Sequence, residues 1–120
     1  MKTASFFTYT GPGRVSIARW APRGAPAGFR VYRPLNPTVT MLKMARADYE
    51  PLYQAILAKL DPRQVADDLH RLTDPQEPVL LCWERPPFTQ SNWCHRRMVA
   101  EWFERGLGVE VAEVRQGRLL

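Results

Sequence analysis

A short apolar run without a single polar residue constrains the fold more than any other feature of this chain. Residues 78–83 read Pro-Val-Leu-Leu-Cys-Trp and lie between turn-forming sequences. Successive side chains of a strand point to opposite faces, so an apolar residue at every position requires both faces to be covered. Such strands are typical of parallel or mixed sheets. We therefore predict a strand here, at the centre of a sheet.

Four further segments have the composition of strands or loops that join strands. Residues 5–10 are rich in aromatic and β-branched side chains and stop at a Gly-Pro-Gly turn, and residues 15–19 alternate in polarity. Proline and glycine interrupt residues 20–40, which we expect to be mostly loop with a short extended piece at 29–32. Residues 109–114 alternate again and predict a last strand.

Three segments with helical periodicity separate the later strands. We predict helices over residues 49–60, from Pro62 onwards, and over residues 93–105. The predicted capping and terminating residues are Asp48, Asp61, either Ser91 or Asn92, and then Gly106 and Gly108. This order of elements predicts a single compact α/β domain over residues 1–120, in two or three layers, with a small parallel or mixed sheet flanked by helices.

Positive charge is concentrated in the first part of the chain. The formal net charge is +5, and residues 1–47 contain eight Lys and Arg but no Asp or Glu. Arginine, which grips phosphate or carboxylate with two parallel hydrogen bonds, is the commoner cation. The basic segment is therefore a candidate surface for nucleic acid or an acidic protein, although scattered arginines on loops are usually only solvated.

The chain shows no sequence signal for membrane insertion or export. No apolar stretch approaches the ~20 residues that a membrane-spanning helix needs, and the first residues do not resemble a signal peptide. We expect a cytoplasmic protein with no membrane contact. The two cysteines, Cys82 and Cys94, are too few for a disulfide-stapled scaffold and suit a reducing compartment, where a thiol pair more often means metal or chemistry.

Residues capable of chemistry lie where the central strand passes through a loop into the third helix. Cys82 and Glu84 end the strand, and Cys94, His95 and Arg96 begin the helix. The start of a helix favours an anion or a thiolate, and ligands bind at the carboxyl ends of parallel strands. We therefore expect a pocket at this junction, with candidate catalytic residues His95, Glu84, Cys82 and Cys94.

Helical spacing assigns a direction to each side chain of the third helix. His95 falls near the centre of the core-facing arc, Arg96 lies at the edge of that arc, and Arg97 points towards solvent. Two arginines in a first turn oppose the helix dipole, which suggests a bound anion or a functional role. The arc itself is defined by Met98, Val99, Trp102 and Phe103.

Each candidate also has a plain structural explanation. Cys82 suits a core position, a histidine on an apolar face is often hydrogen-bonded in the core, and Glu84 can pair with Arg85 or Arg96. Zinc held by Cys82, Cys94 and His95 is a minor possibility, because neighbouring helical residues diverge by ~100° and a fourth ligand is missing. We assign no metal and no cofactor. Walker, G-x-G-x-x-G, G-x-S-x-G and Cys-x5-Arg motifs are absent.

Two strings at the junction carry a resemblance to a known family. Leu80-Leu81-Cys82-Trp83-Glu84 and Cys94-His95-Arg96 resemble the hallmark of an uncharacterised prokaryotic and phage family, the domain of unknown function numbered four-eight-eight. Ser16-Ile17-Ala18-Arg19 with Pro22, Leu35-Asn36-Pro37 and residues 49–60 extend the likeness to about residues 4–114. The resemblance implies a compact α/β domain and no stated reaction. It implies a pocket that gathers Arg19, Cys82, Glu84, Cys94, His95 and Arg96, and it adds Ser16 as a ligand-binding candidate.

Two functions from different classes remain open. In the first, the junction binds a nucleotide or another phosphorylated ligand, as a binder or as an enzyme acting on a nucleotide or nucleic-acid-related substrate, with Arg19 and Arg96 holding the anion. In the second, the protein is a non-enzymatic basic binding module, related to phage or host defence, whose Cys-His-Arg cluster only braces the fold. The convergence of residues at one junction favours the first.

Overall fold

The apolar run identified in the sequence lies in the middle of a five-stranded parallel sheet. In the computed structural model, which describes residues 1–86, 88–89 and 91–114, the strand order is β3-β2-β4-β1-β5 and every neighbouring pair is parallel. All four residues of β4 are buried, which confirms the predicted α/β class and the central strand. The strands are Lys2–Ser5 (β1), Arg14–Ser16 (β2), Arg30–Val31 (β3), Val79–Cys82 (β4) and Ala112–Glu113 (β5).

Three α-helices cover one face of this sheet, and loops cover the other. They are Arg46–Ala58 (α1), Pro62–Thr73 (α2) and His95–Leu107 (α3), with short 3-10 helices at Arg33–Leu35 and Val39–Lys43. Leu80 packs with the buried residues of the helices, whereas Leu81 packs with loop residues such as Phe29 on the opposite face. Two layers therefore form the domain. None of the helices in the described part of the chain is long and apolar enough to cross a membrane.

The first strand begins and ends earlier than the sequence indicates. We predicted a strand over residues 5–10, but the chain turns directly after β1. The Ser5 hydroxyl accepts a hydrogen bond from the backbone N–H of Phe7, and the hydroxyl of Thr8 accepts one from the N–H of Ser5. These local bonds compete with the strand ladder, so the aromatic pair that suggested a strand occupies a turn instead.

Helix starts agree with the sequence only at α2. The Asp61 carboxylate accepts a hydrogen bond from the N–H of Arg63, and Pro62 follows at the first helical position, as predicted. Asp48 is not a cap, because α1 starts earlier, after Ala45. Neither Ser91 nor Asn92 caps α3, which begins after Cys94. Its end is marked by Gly108 in the left-handed conformation, while Gly106 is still helical.

Candidate functional site

A cavity lies at the edge of the sheet where the parallel strands end. The chain leaves β2 through Ala18, Arg19 and Trp20 and leaves β4 through Trp83 and Glu84, and the start of α3 faces both segments. The cavity volume is about 410 Å³. We call this site the carboxyl-edge cavity; it is lined by Ala18, Arg19, Trp20, Pro37, Leu42, Met44, Tyr49, Cys82, Trp83, Glu84, Ser91, Asn92, Trp93, Cys94 and His95.

Three tryptophans form much of the cavity wall. The Trp83 indole N–H donates to the backbone oxygen of Trp20 at 2.7 Å, and the backbone oxygen of Trp83 accepts from the Ser5 hydroxyl at 2.9 Å. Trp20 and Trp83 nevertheless remain 59% and 44% exposed, so much of their ring surface faces solvent. Trp93 packs edge-on against the Tyr49 ring with centroids 4.8 Å apart. The wall is thus aromatic, accessible and held in place.

Two charged side chains of opposite sign line the same cavity. Arg19 and Glu84 are exposed, and neither forms an ion pair with any residue that the structure describes, so Glu84 is not the partner of Arg85 or Arg96. The Arg19 guanidinium lies 5.9 Å from the centroid of the Trp20 ring. Both groups can therefore meet a ligand without first breaking an internal salt bridge.

His95 is buried at the cavity floor, as its position on the helix predicts. Its Nε2 donates to the backbone oxygen of Ile17 at 2.9 Å, which ties the end of β2 to the start of α3. Burial, assisted by the nearby positive charge of Arg96, lowers the pKa of His95 to about 4. The ring is therefore neutral at pH 7 and serves as a structural hydrogen-bond donor.

Cys82 and Cys94 meet at the same floor and form a disulfide. The sequence favoured a reducing compartment but left the redox state of the two cysteines open, because their spacing along the chain did not show that their side chains touch. The two sulphur atoms and a His95 nitrogen lie within 4.8 Å of one another. The ~100° argument against such a cluster was wrong, since Cys94 is the extended N-cap residue rather than a helical one. In the disulfide state the two sulphurs cannot serve as separate thiolate ligands for zinc.

Arg96 and Arg97 extend towards β1 and β5, although the Nη1 of Arg96 also contacts the Cys82 sulphur at the cavity floor at 3.2 Å. Arg96 is completely buried, and its Nη2 forms an ion pair with the Glu113 carboxylate at 2.7 Å while its Nε donates to the same group. Arg97, which we predicted to be solvated, is half-buried and donates to the Thr3 hydroxyl at 2.8 Å and to the backbone oxygen of Val111 at 2.9 Å. We call Thr3, Arg96, Arg97 and Glu113 the edge cluster.

The edge cluster explains why two arginines begin a helix. The charge that compensates Arg96 comes from β5, which pairs with β1 and so brings Glu113 to the start of α3, while Arg97 is held by Thr3 and the Val111 oxygen. No bound anion is required for this compensation, contrary to the expectation from the helix dipole. Strand order cannot be read from the sequence, so this partner of Arg96 was not predictable.

The structure gathers most, but not all, of the predicted site residues. Arg19, Glu84, His95 and the two cysteines line the cavity, whereas Arg96 lies in the edge cluster. Ser16 is buried within β2 and is not a lining residue. Sequence reasoning missed Trp20, Tyr49 and Asn92. Trp20 could have been found, because it directly follows Arg19 beyond a predicted strand end.

The basic residues of the first 47 positions divide into engaged and exposed groups. Arg14 donates to the backbone oxygens of Gly11, Pro26 and Ala27, so it holds loops together. Lys2 and Arg46 pair with Glu77 and Glu50. A second cavity of about 650 Å³ adjoins the first, because Arg19, Trp20 and Pro37 line both, and it adds Arg33. The remaining cations, Arg19, Arg23, Arg30, Arg33 and Lys43, are exposed.

Comparison with protein-family models, curated proteins and solved structures finds no match to this chain. The resemblance to the family numbered four-eight-eight stays a prediction, and the site is interpreted from its own geometry.

Proposed function

We propose that the carboxyl-edge cavity binds a nucleotide. The observation that carries the proposal is the combination, on one cavity, of accessible tryptophan rings with one arginine and one glutamate that form no ion pair with any described residue. Its volume of about 410 Å³ falls within the range of small-molecule sites. Aromatic rings stack on bases of any identity, and arginine is well suited to phosphate.

Each part of a nucleotide has a group suited to it. The base stacks on an exposed ring of Trp20 or Trp83, and the phosphate pairs with the Arg19 guanidinium. The Glu84 carboxylate accepts hydrogen bonds from the ribose hydroxyls, as acidic residues do beyond the strands of other parallel sheets. Arg96 takes no part in holding the phosphate, because it is completely buried and is not a lining residue of the cavity.

The geometry supports binding more directly than catalysis. His95 is neutral at pH 7 and its Nε2–H is committed to the Ile17 oxygen, so it lacks the features of a general acid or base near pH 7. Cys82 and Cys94 are bonded to each other, so neither is a nucleophile in this state. Glu84 is the remaining candidate for proton transfer to a bound ligand.

Thermal unfolding in the presence of nucleoside monophosphates tests the proposal. A ligand that binds only the native state raises the unfolding midpoint, so we expect a concentration-dependent rise for the wild-type protein. Arg19→Ala should weaken binding by about tenfold or more, since hydrogen bonds between charged groups contribute about 1.5–3 kcal/mol. Arg23→Ala, which removes an exposed arginine that is not a lining residue, is the matched control. A shift that is equal in both variants, or absent in the wild type, contradicts the proposal.

A second candidate is supported by the adjoining cavity. Arg19 and Arg33 both line it, next to an exposed Trp20, and this alternation of cations and an aromatic ring suits single-stranded nucleic acid. Binding of an oligonucleotide should weaken with rising salt, and Arg33→Ala should lower the salt slope by about one. If oligonucleotides bind in this way while mononucleotides do not, the protein is a basic binding module rather than a nucleotide-binding domain.

A further inference from the structure

The disulfide at the cavity floor lies beside the buried guanidinium of Arg96. A neutral disulfide sulphur gains little from this positive charge. The Nη1 of Arg96 is directed at the Cys82 sulphur at 3.2 Å, while its Nε and Nη2 donate to Glu113. Arg96 is completely buried, so no water molecule accepts a hydrogen bond from its Nη1 in place of the sulphur. A disulfide sulphur is only a weak acceptor, whereas a thiolate would form a charge-assisted hydrogen bond. The surroundings of Cys82 therefore favour the reduced form.

The second sulphur is also placed where a thiolate is stabilised. Cys94 is the N-cap residue of α3, a helix of 13 residues, and the positive end of the helix dipole favours negative charge there. Both cysteines line the carboxyl-edge cavity, and Cys94 is the slightly more exposed of the two. A small molecule in the cavity can thus reach the disulfide at Cys94.

We infer that Cys82 and Cys94 form a thiol–disulfide exchange centre for low-molecular-weight thiols that enter the carboxyl-edge cavity. The thiolate of the small thiol attacks the Cys94 sulphur, a mixed disulfide forms there, and the bonding electron pair leaves with Cys82 as a thiolate beside Arg96. A second small thiolate then attacks the sulphur of the first in the mixed disulfide and releases Cys94 as a thiolate. In total two small thiols are oxidised to their disulfide, and the protein disulfide is reduced to two thiols. The inference does not depend on nucleotide binding.

Redox equilibration with glutathione tests the centre. Purified protein is equilibrated at a series of ratios of reduced to oxidised glutathione, quenched with acid and alkylated, and labelled thiols are counted by mass. We expect one reversible transition between no labelled thiol and two, with circular dichroism showing a folded protein at both ends. No transition at any glutathione ratio, or two labelled thiols even in oxidised glutathione alone, overturns the inference.

Trapping identifies the attacked sulphur without touching Arg96. With oxidised glutathione, Cys82→Ser should accumulate a mixed disulfide on Cys94, because the residue that would displace the glutathione is missing. Cys94→Ser should form a mixed disulfide on Cys82 about tenfold or more slowly, since Cys82 is the more deeply buried sulphur. Equal or faster modification of Cys82 contradicts the assignment of attack to Cys94.

The contribution of Arg96 is measured with a substitution that keeps its charge. Arg96→Lys can still pair with Glu113 but lacks the fork that reaches both the carboxylate and the Cys82 sulphur. We expect the equilibrium with glutathione to shift about tenfold towards the disulfide, which corresponds to about 30 mV. Arg97→Lys is the control, because the Arg97 guanidinium contacts Thr3 and Val111 and should leave the equilibrium unchanged. No shift in Arg96→Lys, or the same shift in both variants, argues against the role of Arg96.

Discussion

The carboxyl-edge cavity and the edge cluster lie on two sides of the same helix start. They differ in whether their charged side chains pair with each other. In the edge cluster a buried arginine and a glutamate are bound to each other, and Thr3 bonds to both Glu113 and Arg97. In the cavity Arg19 and Glu84 are exposed and form no ion pair with any described residue. Polar groups that satisfy one another stabilise the fold, whereas groups left exposed beside a cavity are available to a ligand.

Two neighbouring residues of the helix face the two different sides. His95 faces the cavity and Arg96, the next residue, faces β5. Successive helical residues are rotated by about 100°, so one helix turn can supply a floor to a ligand site and an anchor to a sheet edge. The Cys94-His95-Arg96 motif therefore contributes to both sides, and the Nη1 of Arg96 connects them through its contact with the Cys82 sulphur.

The largest effect is expected when the edge cluster loses its carboxylate. Glu113→Gln leaves the buried Arg96 guanidinium beside a neutral partner, so the free energy of unfolding should fall by about 3–5 kcal/mol. Urea denaturation measures this change, and Glu110→Gln, an exposed glutamate three residues away, is the control. A loss for Glu113→Gln as small as that of the control would mean that Arg96 does not depend on Glu113.

Acidification should weaken the fold through His95. Because burial lowers the pKa of His95 to about 4 while that of the unfolded chain is about 6.5, the unfolded state binds the extra proton first as the pH falls. The stabilising contribution is complete above pH 6.5 and is lost between about pH 6.5 and 4, by up to about 3 kcal/mol.

Denaturation at pH 7, 6 and 5 checks this pH dependence. His95→Gln should flatten the profile over that range, and His70→Gln, which alters an exposed helix residue, should keep it. A wild-type protein whose unfolding free energy does not change between pH 7 and 5 would show that His95 is not buried in its neutral form.

A smaller loss of stability is expected when the Thr3 hydroxyl, which connects Glu113 to Arg97, is removed. Thr3 donates to a Glu113 oxygen at 2.6 Å and accepts from Arg97 at 2.8 Å. Thr3→Val removes both bonds with little change of shape and should cost about 1–3 kcal/mol. Thr10→Val, at an exposed position, controls for the altered side chain in the same denaturation experiment. Equal stability of the two variants would mean that the hydrogen bonds of Thr3 do not stabilise the edge cluster.

The smallest effect on stability is expected on the cavity side. Glu84→Gln removes a carboxylate that pairs with no described cation, so the free energy of unfolding should change by less than about 0.5 kcal/mol. The same variant should weaken nucleotide binding in calorimetry, because the amide is a poorer acceptor for ribose hydroxyls. Destabilisation comparable to that of Glu113→Gln would erase the contrast between the two sides.

The sequence was most informative where one local pattern decides the structure. The unbroken apolar run predicted β4 and its central place, and Asp61 with Pro62 predicted the start of α2. The sequence was not informative where the position of a side chain depends on a partner that is distant in the sequence. Arg96 was assigned to a ligand because Glu113 comes from a strand whose neighbour could not be predicted.

Local backbone structure accounts for two further errors. Cys94 was placed inside the helix because a cap without a side-chain hydrogen bond leaves no sequence signal. The strand predicted at residues 5–10 ended early because Ser5 and Thr8 bond to the backbone of a turn. Of the two errors, only the placement of Cys94 concerns the cavity, because Cys94 is a lining residue and residues 5–10 are not.

The four tryptophans offer the most direct test of the central claim, which is that the carboxyl-edge cavity binds a nucleotide. In this account the rest of the molecule supports the cavity structurally. Trp20, Trp83 and Trp93 line the cavity, and Trp102 does not. In a ¹⁵N-labelled protein each indole N–H gives its own resonance, and adenosine or uridine monophosphate is titrated in. The account predicts saturable shifts for the three cavity indoles and an unmoved Trp102 resonance. No shift at the cavity indoles, or a shift largest at Trp102, would contradict it.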